Sequence, residues 1–192
     1  MNGRTLPLWS LAVAATLMLG ACAGSGAKYH DSQMDFGSIK TVAVLPFNNL
    51  SRDSAGGERV REVFSNMLLA TGAMYVLPQG EVAHGVMRVG IQNAAGPSAE
   101  EITKLGQVLK CDAVIGGTVK EYGEVRSGSA TANVVSASVY MFEAATGKIV
   151  WSASSTKGGV SMSDRMFGGG GTPVNDVTEV VVNDLLDKLF KQ

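Results

Sequence analysis

The sequence predicts an α/β (α+β) fold in which helices cover a mixed sheet of about five strands. Two observations support this class. Short apolar blocks of strand length alternate with longer segments whose apolar residues recur every three or four positions, as on one face of a helix. Between residues 111 and 158, two segments instead alternate apolar and polar residues around a turn, which predicts an antiparallel three-stranded unit. Elements in this order, in a chain of 192 residues, are typical of one domain with one core.

The first strand and the first helix follow each other directly. Residues 42–45 form an apolar block suited to a strand that is buried on both faces, and Pro46 ends it. In residues 56–72 the apolar side chains recur at helical spacing, and Gly72 suits the C-terminal cap. The sequence therefore predicts a strand that leads into an amphipathic helix.

The middle of the chain adds a second strand and two more helices. Residues 74–78, MYVLP, predict a short strand, and residues 79–90 predict a short helix that its glycines weaken. The next helix has a sharper signal, because Ser98 and Glu101 form the pattern of a capping box ahead of apolar residues at helical spacing. A third helix is therefore predicted within residues 97–110.

Three strands and a last helix complete the predicted domain. Residues 111–125 are rich in strand-forming side chains, and residues 130–142 alternate apolar and polar side chains. Gly147 supplies the positive φ of a tight turn, after which Ile149 and Trp151 are expected to share one face. Valines and leucines at helical spacing near the C-terminus predict a final helix packed on the sheet.

The N-terminal segment has the features of a targeting signal. Arg4 precedes an apolar stretch, residues 6–19, which is shorter than the roughly 20 apolar residues of a membrane span. The following LGAC resembles the bacterial lipobox, whose cysteine is lipidated and becomes the first mature residue. A plain secretory signal and a transmembrane anchor are the alternatives. We predict a signal peptide over residues 1–21, cleaved after Ala21, and a covalent lipid on Cys22.

The predicted mature chain begins as a lipidated tether and continues as one globular domain. Small residues follow Cys22, so residues 22–38 are predicted to be flexible and residues 39–192 to form the domain. Ala23, in place of an acidic residue, resembles lipoproteins sorted to the outer membrane. The predicted location is therefore the outer membrane, with the domain facing the periplasm. The formal net charge of -1 gives no reason to expect a nucleic acid partner.

The sequence shows no pattern of a catalytic or metal site. His30 and His84 lack the spacing of a metal motif, and no GxSxG stretch marks a nucleophile. The glycines at 168–171 lack the lysine of a phosphate-binding loop and are interpreted as a surface loop. Cys111 has no disulfide partner once Cys22 is lipidated, and is interpreted as a buried apolar residue. We expect no enzyme activity, no metal and no cofactor apart from the covalent lipid.

Met166 and Phe167 are the predicted contacts with a partner. Methionine and aromatic side chains are favoured at protein interfaces, and these two lie in the glycine-rich segment, where exposure is expected. Tyr122 and Trp151 are weighed as contact residues or core residues, and the core is favoured.

Three stretches of the body resemble a known superfamily. AVLPFNNLS, LGQVLKCDAVIGGTVKEYG and FEAATGKIVWSAS occur in this order. They are similar to bacterial envelope lipoproteins whose domain resembles the N-terminal domain of TolB, among them the curli secretion lipoprotein CsgG, the penicillin-binding-protein activator LpoB and a group of neisserial surface lipoproteins. The resemblance covers roughly residues 41–190 and implies a TolB N-terminal-domain-like fold. In these stretches Asp112 precedes a strand, and Gly116 and Gly117 are interpreted as allowing close backbone approach or a bulge.

The resemblance implies a non-catalytic lipoprotein that binds a protein partner in cell-envelope assembly, secretion or peptidoglycan synthesis. One alternative is a homo-oligomeric ring or scaffold subunit of a CsgG-like secretion apparatus. The residues after Trp151 nevertheless lack the alternation of a membrane-spanning β-hairpin. The other alternative is a small-ligand-binding or hydrolytic periplasmic protein.

Overall fold

The computed structural model describes residues 27–127, 130–159 and 171–191. Its strands are β1 (Lys28–His30), β2 (Thr41–Val44), β3 (Asn48–Asn49), β4 (Tyr75–Val76), β5 (Ala113–Ser127), β6 (Ala130–Glu143) and β7 (Ile149–Gly158). Its helices are α1 (Gly56–Ala70), α2 (Gln79–Val89), α3 (Ala99–Leu109) and α4 (Val174–Phe190), and a 3-10 turn covers Phe36–Ser38. Ala21, Cys22, Met166 and Phe167 lie outside the described residues, so the predictions made for them stay predictions.

The strands form one mixed sheet, as predicted. Its order is β1-β7-β6-β5-β2-β4, and β3 pairs with β5 beyond the end of β2. β2 runs parallel to β4 and β5, whereas β5, β6, β7 and β1 pair in antiparallel fashion. The described part of the chain holds seven strands, where the sequence predicts about five. The two additional strands, β1 and β3, are three and two residues long, which is too short to show a period.

Helices cover the sheet on both faces. α1 and α4 pack on one face around Phe64, Trp151 and Leu185, all of which are fully buried. α2 and α3 cover part of the other face around Leu45 and Leu105. Each helix presents an apolar stripe to the strands, which is the arrangement that its periodic sequence predicts. The predicted α/β class is therefore confirmed.

Two local signals in the sequence have the expected geometry. The Ser98 hydroxyl accepts from the Glu101 N–H at 3.3 Å, while the Glu101 carboxylate accepts from the Ser98 N–H at 2.7 Å, so the capping box of α3 is confirmed. Gly147 has a φ of +69°, and a Cβ there would overlap the Ala99 carbonyl oxygen. Only glycine fits this turn, both for its backbone conformation and for its close contact.

Gly116 and Gly117 allow close approach of aromatic rings. A Cβ at Gly116 would lie 2.5 Å from the Tyr140 ring, and a Cβ at Gly117 would lie 2.8 Å from the Phe47 ring. The bulge that the sequence also allowed at these glycines is absent there, because the register of β5 against β6 shifts further along, between Val119 and Glu121.

The prediction that Ile149 and Trp151 share a face is wrong. A bulge interrupts the β6–β7 pairing, because Met141 lies opposite Trp151 but Phe142 lies opposite Ile149. Val150 is the extra residue, and an extra residue breaks the alternation of the strand. Val150 (3% exposed) and Trp151 (0%) therefore both pack in the core, whereas Ile149 is 45% exposed.

Part of the segment predicted to be a flexible tether belongs to the folded body. Within residues 22–38, β1 extends the edge of the sheet, and the Ser154 N–H donates to the Ala27 carbonyl at 3.1 Å. The His30 and Phe36 rings stack with their centroids 4.1 Å apart, and Phe36 packs against the core. From β1 onward the tether prediction is therefore wrong, because strand pairing and ring burial hold this part of the chain on the domain.

Candidate functional site

A groove of about 550 Å³ lies at the outer end of the β5–β6 hairpin. One wall is the loop that connects β3 to α1, and the other is the outer part of β5, residues 120–126. The Leu50 N–H donates to the Val119 carbonyl at 2.8 Å, and this bond ends the pairing of β3 with β5. Past Val119, no strand in the described part of the chain pairs with this side of β5, so its edge stays open along the groove.

Polar side chains hold the β3–α1 loop in place. Asn49 Oδ1 accepts from the Ser51 N–H at 3.1 Å and from the Ser51 hydroxyl at 2.7 Å. Asn49 Nδ2 donates to the Asp53 carbonyl at 2.8 Å, and Asp53 Oδ1 accepts from the Ala55 N–H at 2.8 Å. Asn and Asp side chains commonly bond the backbone two residues further on in such turns. The loop sequence therefore builds this wall of the groove without help from a partner.

Tyr122 lies at the base of the groove, where α1 meets β5. Its side chain is buried, and a Cβ at Gly56 would lie 3.0 Å from the Tyr122 Cβ, so the glycine allows the two elements to touch. The Arg59 guanidinium lies 5.9 Å from the centre of the Tyr122 ring. Tyr122 is thus a core residue, as favoured from the sequence, that also lines the groove.

The groove combines exposed apolar side chains with charged ones. Leu50 is 64% exposed and Val125 is 37% exposed, and both line it. Its charged lining residues are Arg52, Lys120, Glu121, Glu124 and Arg126. An open strand edge beside apolar side chains is a surface on which an extended peptide adds as a further strand, with main-chain hydrogen bonds for affinity and side-chain contacts for specificity. The groove therefore has the geometry on which an extended peptide can add as a strand.

The histidines and the free cysteine of the described residues lie outside the groove. The groove lining contains neither histidine nor cysteine. His84 is exposed on α2, and His30 stacks on Phe36 at the far side of the sheet. Within the residues that the structure describes, no cluster of three or more His, Cys, Asp or Glu side chains is arranged to hold a metal ion.

Two described residues that flank the segment containing Met166 and Phe167 both bond Asn133. The Asn133 carbonyl accepts from the Gly159 N–H at 3.0 Å, and Asn133 Nδ2 donates to the Thr172 carbonyl at 2.8 Å. Asn133 lies in the part of β6 that pairs with the groove-lining residues of β5. Gly159 and Thr172, which flank the predicted contact segment, therefore lie at the same end of the hairpin as the groove.

Trp151 and Cys111 both lie in the interior. Trp151 is fully buried, and its Nε1 donates to the Lys188 carbonyl at 3.3 Å. Cys111 is buried between α3 and β5, and burial raises the pKa of its thiol to about 11. The interpretations of Trp151 as a core residue and of Cys111 as a buried apolar residue are confirmed.

Sequence reasoning did not find the groove. Leu50 and Val125 are distant in the chain and line one groove because β3 pairs with β5 in parallel. A signal existed for one wall, since Asn49, Ser51 and Asp53 follow the alternate spacing of side chains that bond their own backbone. No signal existed for the open edge, which depends on the two-residue length of β3.

Comparisons with known proteins decide the family. Residues 29–191 match the protein family described as "Putative lipoprotein GNA1162-like". The chain belongs to this GNA1162-like lipoprotein family. A curated relative, the lipoprotein NMB1124/NMB1162 of Neisseria meningitidis serogroup B, is 32% identical over 188 residues, which are 94% of this chain and 84% of the relative.

Solved structures resemble this GNA1162-like chain in fold. Lipoprotein GNA1162 from Neisseria meningitidis has a TM-score of 0.57 at 23% identity and covers 80% of this chain and 99% of its own. A PelC dodecamer from Paraburkholderia phytofirmans gives 0.57 at 17% identity, over 86% and 98% of the two chains. The LpoB C-terminal domain from Salmonella enterica gives 0.50 at 15% identity, over 65% and 87%. At these identities the likeness concerns the fold alone.

The family assignment confirms the resemblance to neisserial lipoproteins. Membership of the wider superfamily that includes CsgG stays a prediction.

Across residues 27–127, 130–159 and 171–191, no helix of this GNA1162-like protein is both long and apolar enough to cross a bilayer.

Proposed function

We propose that this GNA1162-like protein is cleaved after Ala21, lipidated on Cys22 and anchored in the outer membrane with its domain in the periplasm. There it binds a protein partner in cell-envelope assembly, secretion or peptidoglycan synthesis and carries out no reaction of its own. The LGAC sequence and the lipoprotein family support the anchor. The groove beside the open edge of β5 supports the binding role.

The open edge of β5 is the observation that carries the binding proposal. A partner segment in extended conformation would pair with β5 past Val119 and place alternate side chains against Leu50 and Val125. Met166 and Phe167 would add contacts from the segment whose ends meet at Asn133. The charged residues at the rim would set orientation and association rate more than affinity.

Site-specific photocrosslinking in intact cells tests the groove. A photoreactive residue in place of Leu50 or Val125 is expected to give a discrete adduct with one envelope protein, identified by mass spectrometry. The matched control is Met87, which is exposed on α2 on the other side of the domain and lines none of the described grooves. The same adducts from Met87 and from Leu50, or none from the groove positions, would contradict a partner in this groove.

Metabolic labelling with a palmitate analogue tests the anchor. Wild-type protein is expected to carry the label, and Cys22→Ala to lose it, because the lipid is attached to that sulfur. Cys111 offers no second site, since it is buried and its thiol pKa is raised to about 11. Equal labelling of the two proteins would refute lipidation of Cys22.

A homo-oligomeric ring or scaffold is a second candidate, supported by unlike open edges of the sheet. The outer edge of β1 and the outer part of β5 are unpaired in the described residues. Joining unlike surfaces gives a head-to-tail contact, which closes as a ring when the rotation permits. Light scattering on the Cys22→Ala protein without its signal peptide is expected to show a defined oligomer in this case, whereas a monomer at high micromolar concentration excludes it.

A further inference from the structure

The chain between the proposed lipid and the domain is short. Ala27 is held on β7 by the Ser154 N–H, and β1 begins at the next residue. Four residues lie between Cys22 and Ala27. The five steps from one Cα atom to the other span at most about 3.6 Å each in an extended chain, so these two Cα atoms lie no more than about 18 Å apart. A bilayer that holds a lipid on Cys22 therefore lies close to β1.

Four exposed residues on β1 and at the end of α4 are grouped here as the β1-edge surface: Lys28, Tyr29, Phe190 and Lys191. Lys28 Nζ donates to the Lys191 carbonyl at 2.9 Å and so joins β1 to the end of α4. Tyr29 is 49% exposed and Phe190 is 40% exposed. Because side chains alternate along a strand, Tyr29 lies on the opposite face of the sheet from Lys28. Tyr29 is thus exposed on one face of the sheet, and Phe190 is exposed at the end of α4, which packs on the other face.

The chemistry of the β1-edge surface fits the headgroup region of a bilayer. Tyrosine is enriched at membrane interfaces, where its ring is apolar and its hydroxyl is hydrated, and lysine extends its ammonium toward the headgroups. The Lys191 ammonium lies 2.8 Å from the Asp187 carboxylate, whereas the Lys28 ammonium bonds a neutral carbonyl oxygen. The open backbone edge of β1 needs hydrogen-bond partners that the hydrocarbon core lacks, which limits the contact to the headgroup level.

We propose that the β1-edge surface rests against the headgroups of the bilayer that holds the protein. This inference depends on the proposed lipidation of Cys22. β5 lies three strands away from β1, about 14 Å across the sheet, and its open edge faces away from β1. A domain docked in this way presents the groove to partners on the side away from the membrane.

Tryptophan quenching by brominated lipids tests the orientation. Full-length lipoprotein carrying Tyr29→Trp or Phe190→Trp is reconstituted in vesicles of phosphatidylethanolamine and phosphatidylglycerol that include brominated chains. Matched controls are Met87→Trp on α2 and Val180→Trp on α4, both at exposed positions outside the β1-edge surface. Trp151 is fully buried and gives every variant the same background. We expect severalfold stronger quenching at positions 29 and 190 than at 87 and 180.

Flotation of the same vesicles separates the two proposals. If the wild type floats, Cys22→Ala does not, and all four positions are quenched equally, the orientation is overturned and the anchor stands. If the wild type and Cys22→Ala behave alike in flotation, the anchor fails and the orientation fails with it. Two independent tryptophan positions, one on β1 and one on α4, keep the test decisive when one variant does not fold.

Discussion

The pKa of the Cys111 thiol depends on the burial of its side chain. It follows α3, and its side chain packs in the cluster that α2 and α3 form against the sheet. Burial disfavours the charged thiolate, so the pKa of the thiol rises from 9.0 to about 11. The same burial that makes Cys111 inert as a nucleophile makes the stability of the fold depend on pH.

The pH dependence follows from the direction of this shift. Between about pH 9 and 11, the unfolded chain releases the thiol proton while the folded protein keeps it, so the free energy of unfolding falls as pH rises. We expect wild type to lose about 2 kcal/mol more than Cys111→Ala over this interval. Urea unfolding across the interval measures both proteins, and parallel stability curves would disprove the assignment.

Asp112 fixes the entry of β2 into the sheet. Its Oδ2 accepts from the Lys40 N–H at 2.8 Å and from the Thr41 N–H at 2.9 Å. The sequence predicts that Asp112 precedes a strand. Its bonds to Lys40 and Thr41 form because β2 and β5 pair in parallel, which brings these distant residues together. No spacing within one segment could have revealed them.

Removal of the Asp112 carboxylate is expected to loosen this junction. Asp112→Ala leaves two backbone N–H groups without their acceptor and should lower the free energy of unfolding by about 1 kcal/mol, because the site is exposed and water compensates in part. Asp112→Asn keeps one acceptor oxygen and should lose less. Chemical denaturation of both variants checks the order, and equal losses would argue against the carboxylate clamp.

At the scale of elements, the spacing of apolar residues and the capping residues predict most of the helices and strands. The capping box of α3 and the turn at Gly147 depend on residues a few positions apart, so they could be read directly. β1 and β3 are shorter than one usable period. The bulge at Val150 changes which face of β7 the following side chains occupy. Residues 149–151 are all apolar, so no alternation of apolar and polar residues reveals the change.

The bulge in β7 predicts unlike effects at neighbouring positions. Val150→Thr places a hydroxyl in the core and should lower the free energy of unfolding by about 1–2 kcal/mol. Ile149→Thr changes an exposed side chain and should stay within about 0.5 kcal/mol of wild type. Denaturant unfolding compares the pair. The opposite order would support the simple alternation that the sequence favours.

At the scale of the whole molecule, the domain begins earlier than the sequence indicates. Met34 and Phe36 are partly buried against the core, and β1 pairs with β7. The small residues after Cys22 predict a long flexible segment, and no local sequence pattern marks the residue at which the folded domain begins. The groove was hidden for a similar reason, since its walls come from separate parts of the chain.

Two truncations measure what the early residues contribute. A chain that begins at residue 27 should match the full domain in thermal stability, whereas one that begins at residue 39 loses β1, Met34 and Phe36. The partly buried Met34 and Phe36 side chains contribute about 2 kcal/mol to the free energy of unfolding. In a domain of this length that loss lowers the melting temperature by roughly 5 °C. Circular dichroism during heating measures the two melting temperatures. Identical values would support the prediction that residues 27–38 are a flexible tether.

The three residues of β1 also decide how the domain responds to a mechanical load on its N-terminus. Tension directed along β1 shears the strand against β7, so the pairs Lys28–Ala153, Tyr29–Ser152 and His30–Trp151 resist together instead of peeling one after another. The load then enters the sheet next to fully buried Trp151, the largest side chain of the core. A load on the N-terminus therefore enters the sheet three strands away from β5, which lines the groove.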